Sequence, residues 1–501
     1  MYSRHRIWMK YFIFLRHSNI AKETFHLLNE DKVSSASLPM ERMIYSTDCQ
    51  HDQFGYKLNI GISLGLKFCH FQSENLKVLW IEHRQWDPMI TTLPGLYMLS
   101  VGVLAPIGPL LSLDSAQICS PLSLRLMNVF FCLSNFCLIY TILKKMCKDT
   151  SEHSHVFLKA LTLTSFPLLY FFSFLYYTDS GSTFFVLIMY FFCLHNNQTV
   201  AAIMGALAIL FRQTNIVWVV FIAGFAVSRQ LLEELKVEKK DLREELTSDQ
   251  IILKATFDLL FSRTRQGQRR FIRLLWDVVK DTWMYMIIGI GFIVFLYINE
   301  GIVVGDRSHH KPCFHFPQMF YFISFTNFFA SFHLISLEKL FDWLKFCVKK
   351  PLVTLSFLGV SFALVGNFTY VHEYILADNR HYTFYVWHKI YKQHPYVKYS
   401  LIPMYYCFAY NMVMILKHKN IFWRMLFLLC TSLTIVPQKI LEFRYFIIPY
   451  LIFRMNMKSE VRSGLVLELL LYMSVNIVTL YLFTQKPFIW STSDKLQRFM
   501  W

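Results

Sequence analysis

Charge is scarce in this sequence: only 17% of its 501 residues are Asp, Glu, Lys or Arg, where a soluble globular domain carries roughly 25%. With 55% of the chain apolar, a water-soluble fold is excluded, because a single core could not hide so much apolar surface. Acids are scarcer still, 33 against 50 Lys and Arg, which leaves a formal charge of +17. In a soluble protein that excess would suggest nucleic acid, but no basic segment interleaved with stacking aromatics stands free of an apolar run. The eleven Cys form no CxxC pair, and Cys132, Cys137, Cys193, Cys407 and Cys430 sit inside apolar runs. They read as small hydrophobes, which excludes a disulfide framework and a cysteine zinc site. A P-loop, a GxGxxG and an HExxH are also missing, as is any Asp-x-Asp pair, so nucleotide-sugar chemistry on a separate globular domain is excluded. His309, His310 and His315 share one loop without a Cys or carboxylate at ligand spacing and read as a polar loop; no metal and no cofactor is expected.

What is abundant is apolar length. Windows of about 20 mainly apolar residues fall near 122–143, 156–177, 183–195, 200–228, 283–298, 317–336, 351–370, 399–416, 421–436, 443–455 and 464–484. The expected fold class is therefore an all-α polytopic membrane protein. The 200–228 stretch exceeds one crossing and is interrupted by Arg212-Gln213-Thr214-Asn215, which predicts two short helices meeting at a polar elbow. The run 93–113, carrying Pro106, Gly108 and Pro109, is expected to be a broken or re-entrant pair. Basic connections at 144–155, 229–282, 339–350, 417–424 and 454–462 fall on one side under strict alternation, and that side is expected to be the cytoplasm. Within 229–282, Leu232, Leu235, Leu242 and Leu246 recur at helical spacing among acids and lysines, which predicts an amphipathic helix. Residues 1–84 lack a convincing first span and are read as a divergent N-terminal region, with 85–501 as the multi-span domain.

The opposite side receives polar clusters at the ends of spans: Trp86-Asp87, Tyr177-Thr178-Asp179, the Arg212 elbow, Asp306-Arg307, Asp378 to Trp387, and Lys439 to Tyr445. Ionisable residues at membrane depth are expensive and point to function, although interfacial Arg, Lys, Tyr and Trp also serve as plain anchors. Together they suit one task. Arg and Lys hold a lipid phosphate, aromatic rings stack on sugars, and a carboxylate takes a proton from a sugar hydroxyl. A transporter would instead bury charges mid-span on paired broken helices.

The motifs QWDPMITTLPGLY (85–97), FLYYTDSGS (174–182), FRQTNI (211–216), GIVVGDRS (301–308), LADNRHYTFYVW (376–387), VPQKILEFRYF (436–446) and QRFMW (497–501) closely resemble the family of dolichyl-phosphate-glucose-dependent alpha-1,2-glucosyltransferases. The resemblance implies a multi-span helical bundle of the glycosyltransferase superfamily C type with lumenal loops, in the endoplasmic reticulum membrane. It also implies an inverting transfer from dolichyl phosphate glucose to the diglucosylated lipid-linked oligosaccharide, completing the precursor for protein N-glycosylation. Members of that family carry an acidic-acidic-x-Phe-His loop shortly before the Trp-Asp-Pro motif. Here Lys22-Glu23-Thr24-Phe25-His26 echoes it with Lys in the first acidic place and about sixty residues from Trp86, so Glu23 is a candidate substitute base.

Under this resemblance Asp179 and Asp87 position the acceptor or act as base, while Arg212, Arg380 and Arg444 bind phosphate. Tyr382, Tyr385 and Trp387 line the sugar path, with Trp86, Asp306, Arg307, Asp378, His381 and Lys439 as further substrate contacts. Glu442, two residues from Arg444, stands where it can pair with it. The alternative is a chain without the catalytic loop that acts as a membrane partner, for example a modulator of channel proteins.

Overall fold

The computed structural model describes residues 90–501 apart from 111, 113–119, 148–152, 239–248, 306–311, 373–374, 377, 459 and 491–492. Glu23, Trp86, Asp87, Asp306 and Arg307 therefore lie outside the described residues, as does all of 1–84. The rest is built almost entirely from helices. The first group is α1 (Gly95–Leu110), α2 (Pro121–Met146), α3 (His153–Thr164), α4 (Pro167–Phe172), α5 (Thr178–Leu194), α6 (Gln198–Phe211), α7 (Ile216–Glu238) and α8 (Asp249–Leu260). There follow α9 (Arg265–Asn299), α10 (Pro317–Phe329), α11 (Leu337–Lys349), α12 (Pro351–Phe368), α13 (Ile402–Ile415), α14 (Ile421–Ile435), α15 (Ile447–Met455) and α16 (Arg462–Gln485). A short antiparallel hairpin, β1 (Phe488–Trp490) and β2 (Ser493–Gln497), closes the chain with Phe488 opposite Gln497.

Among the described residues, five helices are long and apolar enough to cross a membrane unaided: Pro121–Met146, Gln213–Leu235, Arg265–Asn299, Pro351–Phe368 and Arg462–Gln485. Shorter apolar helices such as α5, α6 and α14 pack between them. The chain is a multi-pass, all-α membrane protein. Its outer face shows what a bilayer demands: Ile287, Ile290, Ile293 and Val294 on α9, and Leu352, Leu355 and Val360 on α12, are exposed apolar side chains.

The elbow at 212–215 forms as the sequence predicts, a single 3-10 turn between α6 and α7. The 93–113 run differs from expectation, because α1 continues as one helix through both Pro106 and Pro109, neither of which has a backbone N–H to donate. The span expected at 283–298 is the second half of a 35-residue helix that starts at Arg265, since nothing between Thr264, which caps it, and Glu300 breaks the helix.

Small residues set the packing around the site. On α6, Ala201, Ala202, Gly205 and Ala208 face inward, and a side chain at Gly205 would meet Met189 of α5 and Val219 of α7. Such a small-residue stripe lets helix backbones approach closely where lipid supplies no hydrophobic drive. Gly95 shows the limit of approach, since a Cβ there would lie 2.6 Å from the backbone of Leu210.

Candidate active site

Asp179 sits in the first turn of α5, where its charge complements the helix dipole. Three buried amides fix that turn. Asn128 of α2 donates to the carbonyls of Leu175 and Tyr177, Asn135 donates to that of Ser180, and Asn215 donates to Ser182 Oγ and the Ala208 carbonyl. A buried amide gains most when it satisfies backbone groups that a broken helix leaves over. The break between α4 and α5 is therefore held by side chains of other helices.

Two guanidiniums converge on Asp179. Arg212, in extended backbone at the end of α6, places Nη1 2.8 Å from Oδ1. Arg444, in the 3-10 turn Phe443–Phe446, places Nη1 3.7 Å from Oδ2 and binds Glu442 through Nη2. Aromatic faces complete the cage: Arg444 lies 5.0 Å from the Tyr177 ring and 5.6 Å from Phe172, and Arg212 lies 5.6 Å from Tyr445. The Asp179 carboxylate is only 1% exposed, whereas the Arg212 side chain is 13% exposed.

Arg212 and Arg444 line a cavity of about 640 Å³ with Tyr97, Tyr176, Tyr177, Tyr445, Gln213, Gln438, Glu300 and Glu442. Gln213 donates to the Thr91 carbonyl at 3.0 Å and so ties Thr91 to the wall. Glu300 is a wall residue that sequence reasoning missed. It closes α9 with a left-handed backbone (φ 52°), and its one signal was a lone acid between an apolar run and Gly301.

The remaining candidates separate from this group. Arg380, 2% exposed, is fully engaged: its Nε and Nη2 bind Asp378 at 2.9 and 2.8 Å, Nη1 binds Gln497 at 2.8 Å, and its plane lies 4.7 Å from the Trp490 ring. Burial works against the Asp378 charge, but the hydrogen bonds and charges of Arg380 and His381 outweigh it and hold the carboxyl below its ordinary range. Burial likewise holds the His381 imidazole below its ordinary range. His381 Nδ1 is bonded to the Trp501 carbonyl, and Met500 donates to the Arg380 carbonyl, so this cluster fastens the chain's last segment. A small cavity lined by Asp378, His381, Glu442, Arg444 and Trp501 lies between the two clusters.

Tyr382 donates or accepts at Thr479 and packs on Trp501, and Trp387 stacks on Tyr391, so both are held in the protein's own packing. Tyr385 is exposed beside Phe499, and Lys439 is half-buried next to the wall residue Gln438. The structure thus brings together Asp179, Arg212, Glu442 and Arg444, and sets Asp378, Arg380 and His381 behind them.

An arrangement with two guanidiniums on a cavity wall, carboxylates at its edge and tyrosines around it can bind a phosphate, stabilise charge growing on it and accept a proton nearby. The DIE2/ALG10 family matches residues 75–455 of the chain. The Dol-P-Glc:Glc(2)Man(9)GlcNAc(2)-PP-Dol alpha-1,2-glucosyltransferase of Mus musculus is 44% identical over 425 residues, covering 83% of this chain and 88% of that protein. The enzymes of the same name from Homo sapiens and Drosophila melanogaster are 43% identical (83% and 88% covered) and 32% identical (88% and 92% covered). No solved structure matches the chain.

Proposed function

Since the chain belongs to the DIE2/ALG10 family, we propose that it transfers glucose from dolichyl phosphate glucose to the diglucosylated lipid-linked oligosaccharide in alpha-1,2 linkage. The reaction takes place at the lumenal face of the endoplasmic reticulum membrane, with the basic connections on the cytoplasmic side. The observation that carries the reading is the convergence of Arg212 and Arg444 on Asp179 at the wall of a cavity large enough for sugar and phosphate together.

The beta-linked donor and alpha-linked product differ by one inversion, which a single displacement provides. The acceptor 2-hydroxyl attacks the anomeric carbon from the face opposite the phosphate, the bond from carbon to phosphate oxygen breaks, and dolichyl phosphate leaves with one more negative charge. Arg212 and Arg444 meet that charge as it develops, with donors already ordered by Asp179, Glu442 and the aromatic cage. Asp179 acts as their anchor, because both of its oxygens face guanidiniums. The hydroxyl proton passes to a carboxylate on the cavity wall, Glu300, since Glu442 is engaged by Arg444. Tyr97, Tyr176, Tyr177 and Tyr445 give the sugars their apolar faces and hydroxyls.

Expression in cells that lack the endogenous transferase tests the function as a whole. Triglucosylated precursor should return with the unaltered chain and fail to return with Arg444→Ala. If a folded, correctly located chain restored none, the proposal would be wrong and the membrane-partner reading would take its place.

A further inference from the structure

Helix α11, Leu337–Lys349, contributes no buried residue. Its sequence is strongly two-sided. Leu337, Leu340, Phe341, Leu344 and Val348 recur at three- and four-residue steps along one face, and all five are exposed, Leu337 by 74% and Val348 by 82%. Lys345 and Lys349 lie with Glu338 and Asp342 on the other flank, and Lys339 and Lys350 bring the segment to four lysines against two acids. A third strip holds the helix down: Trp343 meets the Tyr406 ring at 5.9 Å and Phe346 meets Tyr410 at 5.1 Å, both on α13. The helix is therefore docked along one strip while its apolar face stays largely open, from 40% exposed at Leu340 to 82% at Val348.

What covers that face follows from what comes next. Pro351 begins the spanning helix α12, and Leu352, Val353 and Leu355 continue the exposed apolar surface directly from Val348 into the bilayer. An amphipathic helix joined to a span, with aliphatic side chains on one face and lysines on the other, matches the boundary between acyl chains and headgroups. Lysines at that depth attract anionic headgroups and are screened less than in bulk water.

We propose that α11 lies in the plane of the membrane surface and binds anionic phospholipid, its apolar ridge in the acyl boundary and Lys345, Lys349 and Lys350 against the headgroups. The surface rests on the multi-pass fold and not on the glucosyl-transfer reading. With the basic connections on the cytoplasmic side, that contact falls on the cytoplasmic leaflet.

The test uses the full chain in lipid nanodiscs, with a nitroxide on an unnatural keto side chain at Val348, which leaves the eleven cysteines untouched. Oxygen collisions should exceed those of a water-soluble nickel chelate by about threefold or more, as for a group at the acyl boundary. Replacing the nitroxide by a fluorophore, spin-labelled phosphatidylserine should quench it about twofold more than spin-labelled phosphatidylcholine, and Lys345→Gln with Lys349→Gln should remove that difference. Collisions dominated by the nickel chelate would overturn the seating of the helix. Equal quenching by the two lipids in the unaltered chain would overturn the anionic contact. Glucose transfer by the double glutamine variant reports that the bundle itself is intact, because neither lysine touches the cavity.

Discussion

Asp179→Asn keeps the volume of the side chain and removes its charge, and the geometry identifies Arg212 as the partner that loses most. Oδ1 holds Arg212 Nη1 at 2.8 Å, whereas Oδ2 lies 3.7 Å from Arg444 Nη1, and Arg444 keeps Glu442. Losing a hydrogen bond to a charged group costs about 1.5–3 kcal/mol. The larger figure for breaking a fully buried ion pair, about 3–5 kcal/mol, does not apply, because the Arg212 side chain is 13% exposed toward a cavity where water and phosphate can solvate it. In rate, a misplaced donor that should meet developing charge costs about 10²–10³. Asp179→Asn is therefore expected to lower kcat by about 10² while leaving the KM for the donor nearly unchanged, since both guanidiniums remain to bind the ground-state phosphate. Arg212→Gln should lose about 10²–10³ and raise that KM as well. The decisive variant combines the two. If Asp179 works by ordering Arg212, the double variant falls close to Arg212→Gln alone, a coupling of about 2–3 kcal/mol. The assay is transfer of labelled glucose to diglucosylated lipid-linked acceptor by purified chains in nanodiscs. Losses that multiply, to about 10⁴–10⁵ in the double variant, would refute the anchoring role and leave Asp179 acting on the substrates directly.

Other expectations concern stability. Arg380→Ala leaves the buried Asp378 without its guanidinium and should cost about 3–5 kcal/mol, read as a lower Tm and as protease cleavage of the 488–501 segment. Because the folded Asp378 carboxyl lies below its ordinary range, its contribution is complete above that range and is lost as pH falls through the folded value. The Tm difference between the unaltered chain and Asp378→Asn should accordingly shrink on acidification and stay level above pH 6. Gly95→Ala should be destabilising by about 1–3 kcal/mol, since its Cβ would meet Leu210 backbone, whereas Gly102→Ala, with nothing within 4 Å, should be neutral or stabilising. At the opposite end Arg454, 0% exposed, is bound by Glu460 and Glu468, and His333 and Tyr472 also bind Glu468. Glu468→Gln should therefore cost about 3–5 kcal/mol in thermal unfolding, and a cost within experimental error would show that the pairing is dispensable.

Some of this was legible in the sequence and some was not, for identifiable reasons. Five of the eleven apolar windows, the elbow at Arg212 and the pairing of Glu442 with Arg444 follow from local features: apolar length, a polar interruption and an i,i+2 spacing. The sequence does not show that α9 reaches back to Arg265, because charge near a membrane surface marks where a span ends without marking where a helix ends. Arginine roles were the least legible. Arg212, Arg380 and Arg444 look alike in sequence, each close to aromatics, yet Arg380 spends its donors on Asp378 and on Gln497, 117 positions away. What separates them is whether a guanidinium keeps a face open to the cavity, and that depends on contacts across long stretches of chain. Asp179 shows the same dependence in reverse. In sequence it reads as a group that positions the acceptor or acts as base; in the fold Arg212, 33 residues away, bonds Oδ1, and Arg444, from much later in the chain, lies 3.7 Å from Oδ2. A carboxylate so placed is suited to ordering a phosphate site, and Glu442 shares that task through Arg444, which makes Glu300 the wall carboxylate to test as proton acceptor.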